Sequence, residues 1–537
     1  MGGLRRATPP SARFNLATAL VDSHLVAGRG DRPAIRYEGR TLTYAGLARL
    51  VDRAGNALRA LDVDVEQRVA IVLPDSPEFV ATFLGAIKIG AVPVTLSTLL
   101  TERDYAYMLD DSRASALVVH ESVLGRVRQA CAGRRHLRHV VVASSGGAAP
   151  RAPGSLSFAE LISAASDELS PEPTAADDMS FWQYSSGTTG EPKAVVHLQA
   201  SCATPADLHG RHVVAMRPDD RVLSVAKLFF SYGLNNSLVV PFHHGACAIL
   251  YPGRPEPRAI LEAIARERPT VFYGVPTAYA ALLAVPEREV PFDLSSLRLC
   301  ISAGEALPGP LFERWKARFG LEILDGIGST ELGYIAISNF PGRARPGTSG
   351  EVIPGYEARV TGEGDRPVAP GEVGDLQVRG PSTAAFYWQK RAQTKRTFRG
   401  EWVFTGDRYS ASADGYYTHH GRSDDLLKVG GIWVSPLEIE TALLEHDAVL
   451  ECAVVGREDA DALTKPAAYV VLKNGAAGPA LATELRGFVK DRLAPYKYPR
   501  WIEFVAELPR TSTGKIQRYK LRAVGGQRRP PAPGGDA

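Results

Sequence analysis

The chain predicts an α/β fold: a large N-terminal domain of helix-covered βα sheets with a β subdomain, followed by a small C-terminal α/β domain. Three observations carry this. Short apolar strands alternate with helical stretches from Arg68 to Phe319. Past Gly350 the pattern changes to short strands separated by glycines and charged turns. Beyond Arg422 a compact α/β pattern returns for roughly a hundred residues, the size of a small domain. At 537 residues the chain exceeds one ordinary core, so two or more domains are expected.

Residues 1–60 read as a helical segment, with a stripe at Leu16, Leu20 and Leu25 and a second helix from Tyr44 to Leu61. Val69–Leu73 reads as a buried strand, and Pro77 opens a helix near its first position. In that helix Phe79, Phe83 and Ile87 share a face. Val92–Leu96, Leu117–Val119 and Val140–Val142 continue the strand series, as expected of a parallel sheet covered by helices. Ser144–Ser155 is a Gly/Ala/Pro linker. The alternation then resumes with strands at Val222–Ala226, Ala246–Leu250, Val271–Tyr273 and Leu297–Ile301. Helices are expected at Arg258–Arg268 and Leu311–Phe319. Tyr356–Val360, Asp375–Arg379 and Trp402–Thr405 form an antiparallel region. The last domain holds strands Cys452–Val455 and Ala468–Leu472 and a helix Leu481–Leu493. The tail from Gly525 has the composition of a disordered segment.

Bulk properties exclude several classes. Hydrophobic residues are 45% and charged residues 23%, the balance of a soluble globular protein. A formal charge of +3, with Lys and Arg spread along the chain, gives no field for nucleic acid or an anionic membrane. No apolar run reaches ~18 residues, and none follows Met1–Arg6, so neither a membrane span nor a signal peptide is expected. The five cysteines are scattered without zinc spacing and read as buried thiols of a reducing, cytoplasmic compartment.

The chemistry centres on Tyr184-Ser185-Ser186-Gly187-Thr188-Thr189-Gly190-Glu191-Pro192-Lys193. β-formers on both sides point to a strand-loop-strand. Glycines let consecutive N–H groups form an anion nest, hydroxyls add donors, and Lys193 adds charge: the parts of a polyphosphate site. It is not a P-loop, because Pro192 replaces the second glycine of that motif. A polar hairpin turn has the same composition. Further on, Ser302-Ala303-Gly304-Glu305-Ala306-Leu307-Pro308 follows a strand, where a sheet's carboxyl edge binds ligands or simply turns. Asp325-Gly326-Ile327-Gly328-Ser329-Thr330-Glu331 couples two glycines, which admit a flat ring, to a hydroxyl and a hard oxygen ligand, or is a loop with a solvated Glu. Asp407, after Thr405-Gly406, suits a ribose diol or a type I turn. Gly421 to Pro436 is a charged turn leading to a glycine kink, and Lys515 sits on a glycine loop near the end.

These runs, in this order, resemble the acyl-adenylate-forming superfamily over nearly the whole chain. Within it the chain is most similar to the benzoate–CoA and aryl–CoA ligases. Lys227–Leu234, Phe272–Thr277 and Lys428–Pro436 carry the narrower likeness. The resemblance implies an acyl-CoA synthetase-like fold with a domain at 1–422, a mobile domain at 423–537 and a hinge at Asp424. It implies that Ser185 to Gly190, Lys193, Gly304 to Ala306, Asp325 to Gly328, Asp407 and Arg422 hold ATP. Thr330 would meet the α-phosphate, Glu331 would hold Mg2+, and Lys515 would be the catalytic lysine. Tyr232, Gly233, Phe272, Tyr273, Ala303 and Tyr334 would line the acyl pocket. Lys428, Gly430, Gly431 and Trp433 would line a CoA tunnel.

The implied reaction is ATP-dependent adenylation of a benzoate- or cinnamate-type acid, followed by transfer to CoA. Tyr334 stands where benzoate ligases tend to have His, Asn235 where Gly is expected, and Ala194 where Gly is usual. The first two departures, which bear on the acyl pocket, point to a hydroxy-, amino- or cinnamoyl-type acid. Ala467 replaces an expected Lys and leaves other acceptors open. These are a carrier protein, or nitrite activated towards an aryl amine in natural-product biosynthesis. The oligomer is read as a monomer or homodimer.

Overall fold

A computed structural model describes residues 13–144, 154–185, 192–286, 293–422, 427–429, 432–459, 463–474, 477–493, 497–510 and 516–526. Most of the 144–155 linker and most of the tail from 525 lie outside them.

The N-terminal region departs from the all-helical expectation. A hairpin of β1 (Pro33–Tyr37) and β2 (Arg40–Thr43) precedes helix α1 (Tyr44–Ala60). Its turn uses Glu38 and Gly39 at φ 47° and 75°. β1 is held by a parallel partner far away in sequence, with Ile35 opposite Ala248. That pairing is invisible to local periodicity. Leu16 and Leu20 are buried as expected, whereas Leu25 is exposed.

The first βα series then runs as β3 (Arg68–Val72), α2 (Pro77–Lys88), β4 (Val92–Thr95), α3 (Glu102–Ser112), β5 (Ala116–His120), β6 (His139–Ala143) and the short β7 (Leu156–Ser157). β8 (Met179–Ser185) and β9 (Lys193–Leu198) are antiparallel, the predicted strand-loop-strand. Together with β19 (Phe386–Tyr387) they make an eight-stranded sheet of order β19-β9-β8-β4-β3-β5-β6-β7.

The second series comprises β10 (Arg221–Ser224), β11 (Cys247–Leu250), β12 (Val271–Gly274), β13 (Leu299–Ser302), helix α4 (Gly309–Phe319), β14 (Ile323–Gly328), β15 (Ile335–Ser338) and β16 (Glu351–Val352). With the N-terminal hairpin it forms a nine-stranded sheet of order β16-β15-β14-β13-β12-β10-β11-β1-β2. One hydrophobic core joins the two sheets: Val69 and Ile71 of the first pack with Val222, Tyr273 and Ile301 of the second, around α1 and α2. Helix α2 is therefore buried nearly all round, not only on its Phe79 face.

The β region pairs β17 (Glu357–Thr361), β18 (Gly374–Arg379), β20 (Phe398–Arg399), β21 (Trp402–Ala411) and β22 (Tyr417–Arg422). β21 runs past the predicted end at Thr405 and carries Asp407 within the strand. The smaller C-terminal domain begins with the hairpin β23 (Leu427–Val429) and β24 (Ile432–Val434). It continues as α5 (Pro436–Leu444), β25 (Val449–Glu458), β26 (Thr464–Leu472), α6 (Pro479–Lys490), β27 (Trp501–Phe504) and α7 (Arg518–Gly526), around a core of its own.

All five cysteines are free; four are buried, and Cys131 is only half-buried because it ends its helix. Among the described residues no helix is long and apolar enough to cross a membrane.

Candidate active site

The site forms where the first sheet, β14–β15 and β19 converge. In the β8–β9 pair Ser185 lies opposite Lys193, so the two ends of the glycine loop are fixed. Ser186 to Glu191 lie outside the described residues. Glu331, just past β14, receives a hydrogen bond on Oε1 from Ser185 Oγ at 3.2 Å and from the Tyr387 hydroxyl at 2.9 Å. Lys193 Nζ is 4.0 Å from the same oxygen and 4.1 Å from the centre of the Tyr387 ring. Burial pushes the Glu331 carboxyl up, but the Lys193 charge and hydrogen bonds from its own N–H, Tyr387 and Ser329 outweigh it. The group is held below its ordinary value, hence ionised. Burial lowers the Lys193 ammonium, Glu331 opposes that, and Arg422 adds to it. Thr330 is half-buried beside this cluster. Tyr387 was not among the sequence candidates. Only the pairing of β19 with β9, Tyr387 opposite Val195, brings it to residue 331.

Helix α3 braces the loop at both ends. The Tyr184 hydroxyl donates to Asp111 Oδ2 at 2.7 Å, and the Tyr107 hydroxyl donates to the Pro192 carbonyl at 3.0 Å. α3 is itself anchored by a capping box of Thr101 and Asp104. With the loop holding ATP and a second site the acid, as the resemblance implies, removal of the Tyr107 hydroxyl (Tyr107→Phe) is expected to raise KM for ATP several-fold, by loosening the loop exit, with little change in KM for the acid. Steady-state kinetics with each substrate varied checks this; parallel rises in both constants would refute it.

A cavity of about 710 Å3 opens between the two domains. The large domain lines it with Gly304, Glu305, Ala306, Asp325 to Ser329, Asp407 and Arg422. Arg422 Nη1 donates to Asp407 Oδ1 at 3.1 Å, and Gly406 at φ 77° leaves room for that guanidinium. Gly326 and Gly328 have an internal cause. A Cβ at 326 would sit 2.8 Å from the Ile337 carbonyl oxygen, and one at 328 would sit 2.3 Å from that of Tyr334. The two glycines are needed by strand β15 itself, whatever flat ring lies beyond. Asp325 is buried, takes the Leu307 N–H at 3.3 Å, and is pushed by burial up to about 8.

The C-terminal domain closes the cavity with Leu437, Glu440, Arg510, Ile516 and Arg518. Arg518 Nη2 donates to both oxygens of the buried Glu440 at 2.9 Å. Arg510 is ion-paired with Glu451 of its own domain and lies 3.9 Å from Glu305 of the large domain. Arg510 and Ile516 form an antiparallel bridge that closes the 511–515 loop. Lys515 lies on that loop, outside the described residues, as do Asp424, Gly430 and Gly431. Lys428 and Trp433 are paired across the β23–β24 hairpin.

Of the acyl-pocket candidates, Tyr232, Tyr273, Ala303 and Tyr334 gather in the core between the sheets. Tyr232 stacks on Tyr334 at 6.2 Å and meets Tyr273 edge-on at 6.1 Å. Gly233 is required by packing, since a Cβ there would be 2.1 Å from the Lys227 carbonyl oxygen. Phe272 is set apart from the others. The pleat of β12 turns it to the opposite face, against Tyr279 in the core that holds Trp315. His209 and Asn236, which no motif marked, join the tyrosines: His209 meets Tyr334 edge-on at 5.0 Å, and Asn236 accepts its hydroxyl proton at 2.5 Å.

Comparison with known proteins shows the family. The model of the AMP-binding enzyme family matches residues 23–388, and that of the AMP-binding enzyme C-terminal domain matches 438–515. The benzoate–CoA ligase of Thauera aromatica is 49% identical over 96% of this chain and 98% of that one. The 4-hydroxybenzoate–CoA/benzoate–CoA ligase of Rhodopseudomonas palustris is 45% identical over 96% and 95%. The crystal structure of the anthranilate CoA ligase AuaEII with anthranoyl-AMP superimposes with a TM-score of 0.92 at 41% identity, covering 96% of this chain and 98% of that one.

Proposed function

As a member of the AMP-binding enzymes, the acyl-adenylate-forming superfamily, the chain is an ATP-dependent aromatic acid–CoA ligase, and we propose that Glu331, Lys193, Thr330 and Lys515 carry its first step. The observation that supports this reading is the ionised Glu331, held by Ser185, Tyr387 and Lys193 at the mouth of the glycine loop.

The acid's carboxylate attacks the α-phosphorus of ATP, the α–β bridging bond breaks, and pyrophosphate leaves. Two anions must approach, so the barrier is electrostatic. Lys193 and the loop amides at Ser185 to Gly190 neutralise the leaving diphosphate. Thr330 donates to the α-phosphate, and Lys515 reaches both the carboxylate and that phosphate. Glu331 also fits a Mg2+ ion. It is ionised and carries hard oxygens. The remaining ligands would then be phosphate oxygens and water, as Mg2+ prefers. When bound, the ion supplies charge neutralisation at the triphosphate. Gly304 to Ala306 and Asp325 to Gly328 bound the adenine side of the cavity, while Asp407 and Arg422 hold the ribose. Tyr232, Tyr273, Ala303 and Tyr334 hold the aromatic ring by edge and offset contacts.

In the second step the CoA thiol attacks the acyl carbon of the adenylate, and AMP leaves. The domain boundary at 422/423 and a pivot at Asp424 would let the C-terminal domain withdraw Lys515. The Lys428, Gly430, Gly431 and Trp433 hairpin would then face the pantetheine arm. The free thiols support a reducing, cytoplasmic setting.

The test is acid-dependent ATP–pyrophosphate exchange over a panel of aromatic acids, followed by product mass spectrometry. CoA, a carrier protein, and nitrite with an aminoaryl acid are offered in parallel. Exchange with an aromatic acid and an aryl-CoA product are expected. Exchange confined to aliphatic acids, or no thioester with CoA, would overturn the reading.

A further inference from the structure

Resting on the aryl–CoA ligase reading, we propose that the acyl pocket selects an aromatic acid whose ring carries a hydroxyl or amino group, read by Tyr273, Tyr334 and His209. The argument is one of unmet hydrogen bonds and their direction. His209 is fully buried, and neither ring nitrogen has a hydrogen-bond partner among the described residues. The Tyr273 hydroxyl is equally buried and lies beside that of Tyr334 without a hydrogen bond of good geometry. Buried polar groups are nearly always paired, so two such side chains against one tyrosine call for a ligand.

The surrounding network sets what the site offers. Ser224 Oγ donates to the Ala226 carbonyl at 3.1 Å and accepts the Asn236 amide at 3.1 Å. Asn236 therefore turns its carbonyl oxygen to Tyr334, which donates its only proton there at 2.5 Å. The Tyr334 oxygen is left as an acceptor. Tyr273 has a proton to give to that oxygen or to a ligand, whereas both nitrogens of His209 are without a partner among the described residues. Burial lowers the His209 imidazole to about 3, so it stays neutral, with one donor and one acceptor nitrogen. Donor and acceptor together match a ring hydroxyl or amino group and leave unsubstituted benzoate without a partner. A site built for a hydrogen bond discriminates strongly against the analogue that lacks it.

The experiment compares kcat/KM in ATP–pyrophosphate exchange for benzoate, the three hydroxybenzoates and the three aminobenzoates. The wild-type chain is expected to favour one substituted acid over benzoate by about tenfold or more. Tyr273→Phe, which keeps the ring volume, and His209→Phe are each expected to bring that ratio down towards one. The position of the preferred substituent identifies the acid. Benzoate as the best acid, or a ratio unmoved in both variants, would overturn this inference alone and leave the ligase reading standing. No exchange with any of the seven acids, with exchange driven by an aliphatic acid, would overturn both.

Discussion

A Glu331→Gln chain is expected to lose about 10²–10³-fold in ATP–pyrophosphate exchange, the usual scale for one buried electrostatic stabiliser. The substitution keeps the size of the side chain and removes its charge. Oε1 now accepts from Ser185 and Tyr387 and faces Lys193. A glutamine carbonyl can still accept the two hydroxyl protons, so the local packing survives. Its effect is electrostatic. Lys193, already lowered by burial, loses the anion that opposes that shift, and the carboxylate proposed for Mg2+ is gone. Exchange rates with saturating acid, alongside thermal unfolding, check this. A tenfold or smaller loss in a chain of unchanged Tm would mean that Glu331 is a packing residue, not an electrostatic one.

Lys515→Ala is expected to cut exchange by a similar ~10²–10³-fold. It is expected to spare thioester formation from a supplied acyl-adenylate, because the proposed role confines the lysine to the first half-reaction. Arg510 and Ile516, which flank residues 511–515, form an antiparallel bridge, and both line the interdomain cavity. Arg510 is also within 3.9 Å of Glu305 across the domain boundary. A partly exposed ion pair of this length is weak, so giving it up in the proposed turn of the domain would cost little. Single-turnover measurements of the two half-reactions decide the matter. An equal fall in both would refute the assignment.

How much could be read beforehand follows from the range of the interactions. Lys193, Glu331 and Asp407 could be singled out because each belongs to a short run whose residue types suit a phosphate, a metal or a ribose as well as a plain turn, and the fold brings Lys193 and Glu331 within 4.0 Å of each other. The alternating strands were legible because burial on both faces leaves a local apolar signature. The hairpin at 33–43 was not, since its parallel partner Ala248 lies in another part of the chain. Tyr387 gave no local signal either; a single tyrosine acquires its role only when β19 pairs with β9. Phe272 and Tyr273 look equivalent as neighbours in a run, yet the pleat sends them into different cores.

Motif chemistry, strand succession and the order of the phosphate, nucleotide and lysine segments are properties of contiguous residues, and the amino-acid string alone determined them. The folded molecule decided what depends on long-range pairing. It brought Glu331 against Tyr387, braced the glycine loop on α3, made the Gly326 and Gly328 positions obligatory against β15, and gathered His209, Asn236 and three tyrosines into one polar-lined core. Local propensity acts over a few residues, whereas burial and hydrogen-bond satisfaction are settled by whichever distant strand or helix arrives alongside.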